Sequence, residues 1–157
     1  ITLRLRAHRN FRLEDNLQRP LVLIGNGTGL AGLRSHLRAR AAAGLGPNWL
    51  LFGERNAAHD RLYGDELQAW CDGGVLQRLE LAFSRDRSEG APRAYVQDLL
   101  AQSSDVLRQW VAQGAAIYVC GSLQGMAQGV DQALHAVLGE ARMDQLVRSG
   151  RYRRDVY

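Results

Sequence analysis

The sequence contains no lysine. Its 20 basic residues are all arginine, against 16 acidic ones, for a net charge of +4. The arginines are scattered rather than gathered on one stripe with interleaved aromatics, which argues against a nucleic-acid-binding surface. Arginine instead suits planar, bidentate recognition of a small phosphorylated ligand. There are only 2 cysteines, Cys71 and Cys120. That is too few for a disulfide framework and fits a reducing compartment. His8, His36, His59 and His135 share no metal-ligand spacing with one another or with the cysteines, so no metal is expected. No apolar run approaches the roughly 20 residues that cross a bilayer. The opening ITLRLRAHRN lacks both a Met and the apolar core of a signal peptide. It is read as the start of a fragment from a longer chain. The expected location is the cytoplasm, or the cytoplasmic face of a membrane if the missing part carries an anchor.

What is present fits one globular core: 157 residues, 46% of them hydrophobic. Residues 1–6 alternate apolar and polar, as a strand with one wet face does. Residues 8–20 are polar and end in proline, and read as a linker. Residues 1–19 are therefore expected to be the tail of a preceding domain plus linker, and 20–157 the domain itself. From Leu21 the pattern changes. LVLIG, NWLLFG, LELAFS and AIYVCG are near-continuous apolar runs, as in parallel strands buried on both faces. Helical patterns separate them, at 33–44, 62–70, 95–100, 105–113 and 126–138, with a last turn at 144–147 before a terminal strand, GRYRRDVY. This alternation predicts an α/β fold: an open parallel sheet with helices on both faces, Rossmann-like. Ligands of such sheets bind beyond the carboxyl ends of the strands.

The first of those ends carries GNGTGLAG. Glycines between a buried strand and a helix expose backbone N–H groups and a positive helix end to a phosphate. Gly27, Gly29 and Gly32 fit the dinucleotide pattern G-x-G-x-x-G. With Glu54 placed to hold a ribose diol, that pattern favours NAD. A second pattern, G-x-G-T-G-x-A-x-x-R, is met by Gly25, Gly27, Thr28, Gly29, Ala31 and Arg34. The glycine loop therefore leaves NAD and NADP open.

Beyond the loop lie NFRL at 10–13, NWLLFGER at 48–55, LYGDEL at 62–67, AFSRD at 82–86, YVQ at 95–97, IYVCG at 117–121 and the closing RYRRDVY. With these segments the chain resembles the NADP(H)-binding domain of the ferredoxin–NADP reductase family, in its diflavin reductase branch. The ending and the AFSRD segment look closest to the sulfite reductase flavoprotein. The resemblance implies a domain that binds NADPH and orients it for hydride transfer to FAD, with electrons passing on to FMN or a protein acceptor. FAD itself would sit mainly on a domain missing from this chain, and FMN elsewhere in the full-length protein. The implied partners are that FAD-binding domain and a downstream electron acceptor.

Residue by residue, the resemblance implies a pyrophosphate loop of Gly25, Gly27, Thr28 and Gly29. It implies a 2′-phosphate and adenine site of Ser84, Arg85, Arg93, Tyr95 and Gln97. Arg55 would touch the pyrophosphate or adenosine end, and Gly121 would stand near the cofactor. Cys120 would lie beside the nicotinamide and help set the geometry of transfer, Asp155 would assist electrostatically, and Tyr157 would stack on the flavin ring. The chain departs from the family pattern in having Gly32 where proline is usual and Ser122 where an acid is common. The stretch between Arg85 and Tyr95 is also longer. Two further readings stand beside this one: an NAD-linked dehydrogenase domain using Glu54, and an NADPH-sensing module without catalysis.

Overall fold

In a computed structural model, which describes residues 9–55, 63–85 and 94–157, the chain forms one five-stranded sheet. The strands are β1 (Leu21–Asn26), β2 (Asn48–Glu54), β3 (Arg78–Phe83), β4 (Ala116–Gly121) and β5 (Tyr152–Val156). All neighbours are parallel, in the order β3-β2-β1-β4-β5. The helices are α1 (Leu30–Ala42), α2 (Gly64–Asp72), α3 (Val96–Gln102), α4 (Ser104–Ala112), α5 (Gln128–Leu138) and α6 (Glu140–Arg148). None of these is long and apolar enough to cross a membrane.

Alternation along the strands divides the core in two. Val22, Ile24, Trp49, Leu51, Ile117 and Val119 face α3, α4, α5 and α6. Leu21, Leu23, Leu50, Phe52, Tyr118 and Cys120 face α1 and α2. Both faces of the central strands are thus buried, which explains their unbroken apolar runs. The edge strand β5 carries Arg153, Arg154 and Asp155, charges that blunt a free edge.

The expected α/β sheet is present, with adjustments. α1 begins at Leu30, not Leu33, and runs unbroken through Gly32. α5 begins at Gln128, because Gln124 is extended and Gly125 has φ +79°. The last turn expected at 144–147 is a nine-residue helix, α6, which buries Met143 and Leu146. The strand expected at 1–6 lies outside the described residues.

The stretch read as a linker is packed where it is described. Phe11, Leu13 and Asn16 are buried. The Phe11 ring stands 5.0 Å from that of His36 and 5.3 Å from that of Tyr118. Asn16 donates to the Tyr118 hydroxyl at 2.9 Å, and that hydroxyl donates to the Arg12 carbonyl at 2.7 Å. Arg40, fully buried, adds a second tie. It donates to the Leu17 carbonyl, to Asn48 Oδ1 at 2.8 Å and to the Pro47 carbonyl at 3.1 Å.

The carboxyl ends of β1 and β4 approach closely, with glycines at the tightest points. A Cβ on Gly25 would stand 2.4 Å from the Cys120 carbonyl oxygen, and one on Gly29 only 2.1 Å from it. A Cβ on Gly121 would stand 2.3 Å from Asn26 Oδ1. Gly27 differs: its φ is +53° and nothing lies within 4 Å of where its Cβ would point.

Two expectations follow. Gly29→Ala forces β4 away from the loop and should lower unfolding free energy by at least about 2 kcal/mol in denaturant titration. Gly27→Ala meets open space and should cost only its left-handed backbone, about 1 kcal/mol. Second, burial among the Phe11 and Tyr118 rings pushes the His36 imidazole down to about 4 from its ordinary 6.5. Its folded pKa is depressed, so the unfolded chain binds the proton more readily. The stability it contributes is present above about pH 6.5 and lost as pH falls toward 4, by about 3 kcal/mol. Melts across that range should show this slope, and His36→Phe should flatten it.

Candidate functional site

Strand order reverses between β1 and β4, and the loops leaving these strands diverge above the sheet. A cleft of about 890 Å³ opens there. One wall is the glycine loop, where Asn26, Gly27 and Thr28 lead into α1. No side chain caps this turn or the start of α1. An uncapped turn lining the cleft leaves backbone N–H groups for a ligand, and a glycine turn before a helix is the kind of arrangement that holds a phosphate. Gly27, exposed and with open space beyond its Cα, is the cradle a Cβ would begin to fill.

The β2 and β3 ends form the far wall. Pairing continues past both strands: Ser84 N–H donates to the Glu54 carbonyl at 2.9 Å and Arg85 N–H to the Arg55 carbonyl at 2.8 Å. Glu54, Arg55 and Ser84 line the cleft there, with Gly53 and Ala82 as its floor. Tyr95 and Gln97 join them from the start of α3. The Tyr95 N–H is held by Asp98 Oδ2 at 2.8 Å, which leaves its 41% exposed ring at the rim. Gln97 lies against Gly129, where a Cβ would stand 2.9 Å from Gln97 Cδ; glycine there lets the side chain fit between α3 and α5.

The third wall is the turn between β4 and α5: Ser122, Gln124, Gly125 and Met126. Ser122 N–H donates to Asn26 Oδ1 at 2.9 Å, tying this turn to the glycine loop. Tyr157 closes the same side. Its N–H donates to the Gly121 carbonyl at 3.1 Å and its own carbonyl accepts from Leu123 N–H at 2.9 Å. Its hydroxyl then reaches across to Thr28 Oγ1 at 2.6 Å.

Of the residues expected at a site, the cleft brings together Gly27, Thr28, Arg55, Ser84, Tyr95, Gln97 and Tyr157. Arg85 is exposed, next to Ser84 but not in the lining. Gly25, Gly29 and Gly121 serve the contact between β1 and β4 behind it. Arg93 lies outside the described residues. Cys120 does not reach the cleft. It is 2% exposed and faces α1, where a Cβ on Gly32 would stand 3.1 Å from its sulfur. Burial, with Asp155 beside it, pushes its thiol up to about 12, so it is protonated at neutral pH. Asp155 stands opposite Cys120 in the β4–β5 register.

Arg34, the last residue of the second glycine pattern, turns toward α2. It pairs with Glu66 and lies 4.0 Å over the Tyr63 ring. Sequence reasoning missed Asn26, Gln124, Gly125 and Met126. Asn26 sits inside the glycine motif itself, and the Gly125 turn was the available signal for the rest.

Comparison with known proteins agrees with this geometry. The model of the oxidoreductase NAD-binding domain matches residues 23–132, which include the glycine loop and most of the cleft walls. The chain is 41% identical over 159 residues to the sulfite reductase (NADPH) flavoprotein alpha-component of Vibrio cholerae, covering 94% of this chain and 25% of that protein. It is 42% identical to that of Salmonella typhimurium, covering 94% and 26%. For that of Neisseria meningitidis the figures are 40% identity, 99% and 28%. The chain thus spans about a quarter of the length of these curated relatives. With a parallel sheet, a glycine loop at its switch point and a match over more than half its length, this chain belongs to the oxidoreductase NAD-binding domain family.

Proposed function

We propose that the cleft binds NADP(H) and that the chain is the NADP(H)-binding domain of a flavoprotein reductase of the sulfite reductase type. One observation carries the reading. A single cleft joins an uncapped glycine loop at one wall to Arg55, Ser84, Tyr95 and Gln97 at the other, with Tyr157 closing its mouth. Two phosphate-type sites in one cleft, separated by an open floor, suit a dinucleotide that carries phosphate at both the pyrophosphate and the ribose.

In this reading the loop N–H groups around Gly27, with Thr28, hold the pyrophosphate. Ser84 and Arg85 supply charge-assisted donors to a 2′-phosphate, and the Tyr95 ring covers the adenine. Bound there, NADPH would supply a hydride to an FAD held mainly by another domain, with electrons passing on to FMN or a protein acceptor. The chain contributes binding, orientation and charge. Tyr157 covers the face on which nicotinamide and flavin must meet, and Asp155 places negative charge behind it. Cys120, protonated and turned toward α1 beneath the cleft, is not a nucleophile; it supports the end of β4 from behind. The names of the relatives, which specify NADPH and a flavoprotein, support the same reading.

Glu54 lines the same cleft, which keeps an NAD-binding alternative in play. Calorimetric titration separates the two. Adenosine 2′,5′-bisphosphate should bind at least about tenfold more tightly than 5′-AMP, and Arg85→Ala should abolish the difference. Equal binding of the two would favour Glu54 and NAD. In the full-length protein, deleting Tyr157 should raise the use of NADH relative to NADPH and change the rate of hydride transfer, read by stopped-flow flavin reduction. Unchanged selectivity and rate would remove Tyr157 from that role.

A further inference from the structure

The contact between Thr28 and Tyr157 links the glycine loop to the chain's last residue. We infer that these two hydroxyls form an ordered donor pair, in which Tyr157 strengthens phosphate binding at the glycine loop by donating to Thr28 while Thr28 donates to the phosphate. The inference rests on the proposed dinucleotide site and assigns Tyr157 a second task within it.

The geometry comes first. Tyr157 is 63% exposed, yet both its backbone groups are tied, to Gly121 and Leu123. With the backbone fixed, the 2.6 Å contact directs the ring across the mouth of the cleft. On the other side, Thr28 sits in the uncapped turn that lines the cleft. Ser122 N–H on Asn26 Oδ1, at 2.9 Å, holds the two loops in register behind this contact. The cross-cleft bond therefore closes a ring running Asn26–Thr28–Tyr157–Ser122 and needs no rearrangement to form.

Proton counting gives the direction. A threonine hydroxyl has one proton and two lone pairs, a phenol likewise can donate or accept, and an ionised pyrophosphate only accepts. Without a ligand either hydroxyl can be the donor. With a phosphate in the loop, the Thr28 proton goes to the phosphate oxygen, and Tyr157 Oη–H then donates to Thr28 Oγ1. No proton is transferred; each stays on its own oxygen. Such head-to-tail bonds polarise one another, and one ending on an anion is stronger than a neutral pair. Tyr157 is thus a positioning residue for the phosphate, acting through Thr28.

Because the proposed hydride transfer moves the Tyr157 ring, the test uses a probe without nicotinamide. 2′-Phospho-ADP-ribose carries the pyrophosphate; adenosine 2′-monophosphate does not. Both are titrated calorimetrically into the 157-residue chain and its variants, with thermal melts to confirm folding. Tyr157→Phe keeps the ring and should weaken 2′-phospho-ADP-ribose roughly threefold to tenfold. Thr28→Val should weaken it at least as much. Adding Tyr157→Phe to Thr28→Val should cause no further loss, and Thr28→Ser should restore binding. Adenosine 2′-monophosphate should bind alike throughout. Equal or tighter binding by Tyr157→Phe, or losses that simply add, would overturn the donor pair and leave the dinucleotide site standing. Binding of neither probe by the unaltered chain would overturn the site and the donor pair together.

Discussion

Two glycines lean on one carbonyl. Gly25 and Gly29 both approach the Cys120 oxygen so closely that a methyl group on either would overlap it. This contact brings the ends of β1 and β4 together at the point where strand order reverses, and the cleft exists because the two following loops must part above it. It also divides the glycine motif by task. Gly25 and Gly29 let backbone meet backbone. Gly27, with its positive φ and open surroundings, leaves backbone open to the cleft. A motif that reads as one phosphate-binding pattern is two constraints interleaved at alternate positions.

The same logic of close approach continues away from the cleft. Arg40 is wholly buried without a carboxylate partner among the described residues; its guanidinium is spent on two carbonyls and the Asn48 side chain. Asn48 in turn donates to the carbonyls of Leu45, at 3.1 Å, and Val75, at 2.8 Å. A buried cation is tolerable when each of its nitrogens finds an acceptor, as all three do here, and this network fixes the start of β2 against α1 and the stretch before β1. The cleft is thus set from both ends of the sheet: by glycine contacts at the carboxyl edge and by arginine and asparagine bonds at the amino edge.

The strands were legible because burial on both faces leaves no room for polar alternation, and Leu21 through Gly25 could be little else. The gathering of Thr28, Arg55, Ser84, Tyr95 and Gln97 was legible for a related reason: parallel strands deliver all their carboxyl ends to one edge. Three things were not legible. Residues 9–20 read as linker because their polar side chains outnumber Phe11 and Leu13, while the bonds from Asn16 and Tyr118 that hold them down join positions more than 100 residues apart. The helix read from Met126 begins only at Gln128; periodicity carries no record of the turn before it, where Gly125 has a φ of +79°. The side to which Cys120 turns depends on strand register, which fixes it on the α1 face with Tyr118.

That orientation bears on how the site could work. Cys120 is shielded by Gly32 and Phe11 and stands in register with Asp155, whose charge adds to burial in keeping the thiol protonated. A neutral thiol beside a carboxylate leaves the local charge negative and single. In the proposed reaction a bound nicotinamide would gain positive charge as it gives up hydride, and a single negative charge at the end of β5 would favour that change. Burial of Cys120 and exposure of Tyr157 are therefore complementary. The sulfur is held neutral and still within the sheet, while the tyrosine, tied by its backbone and by one hydroxyl bond to Thr28, keeps a ring that can move.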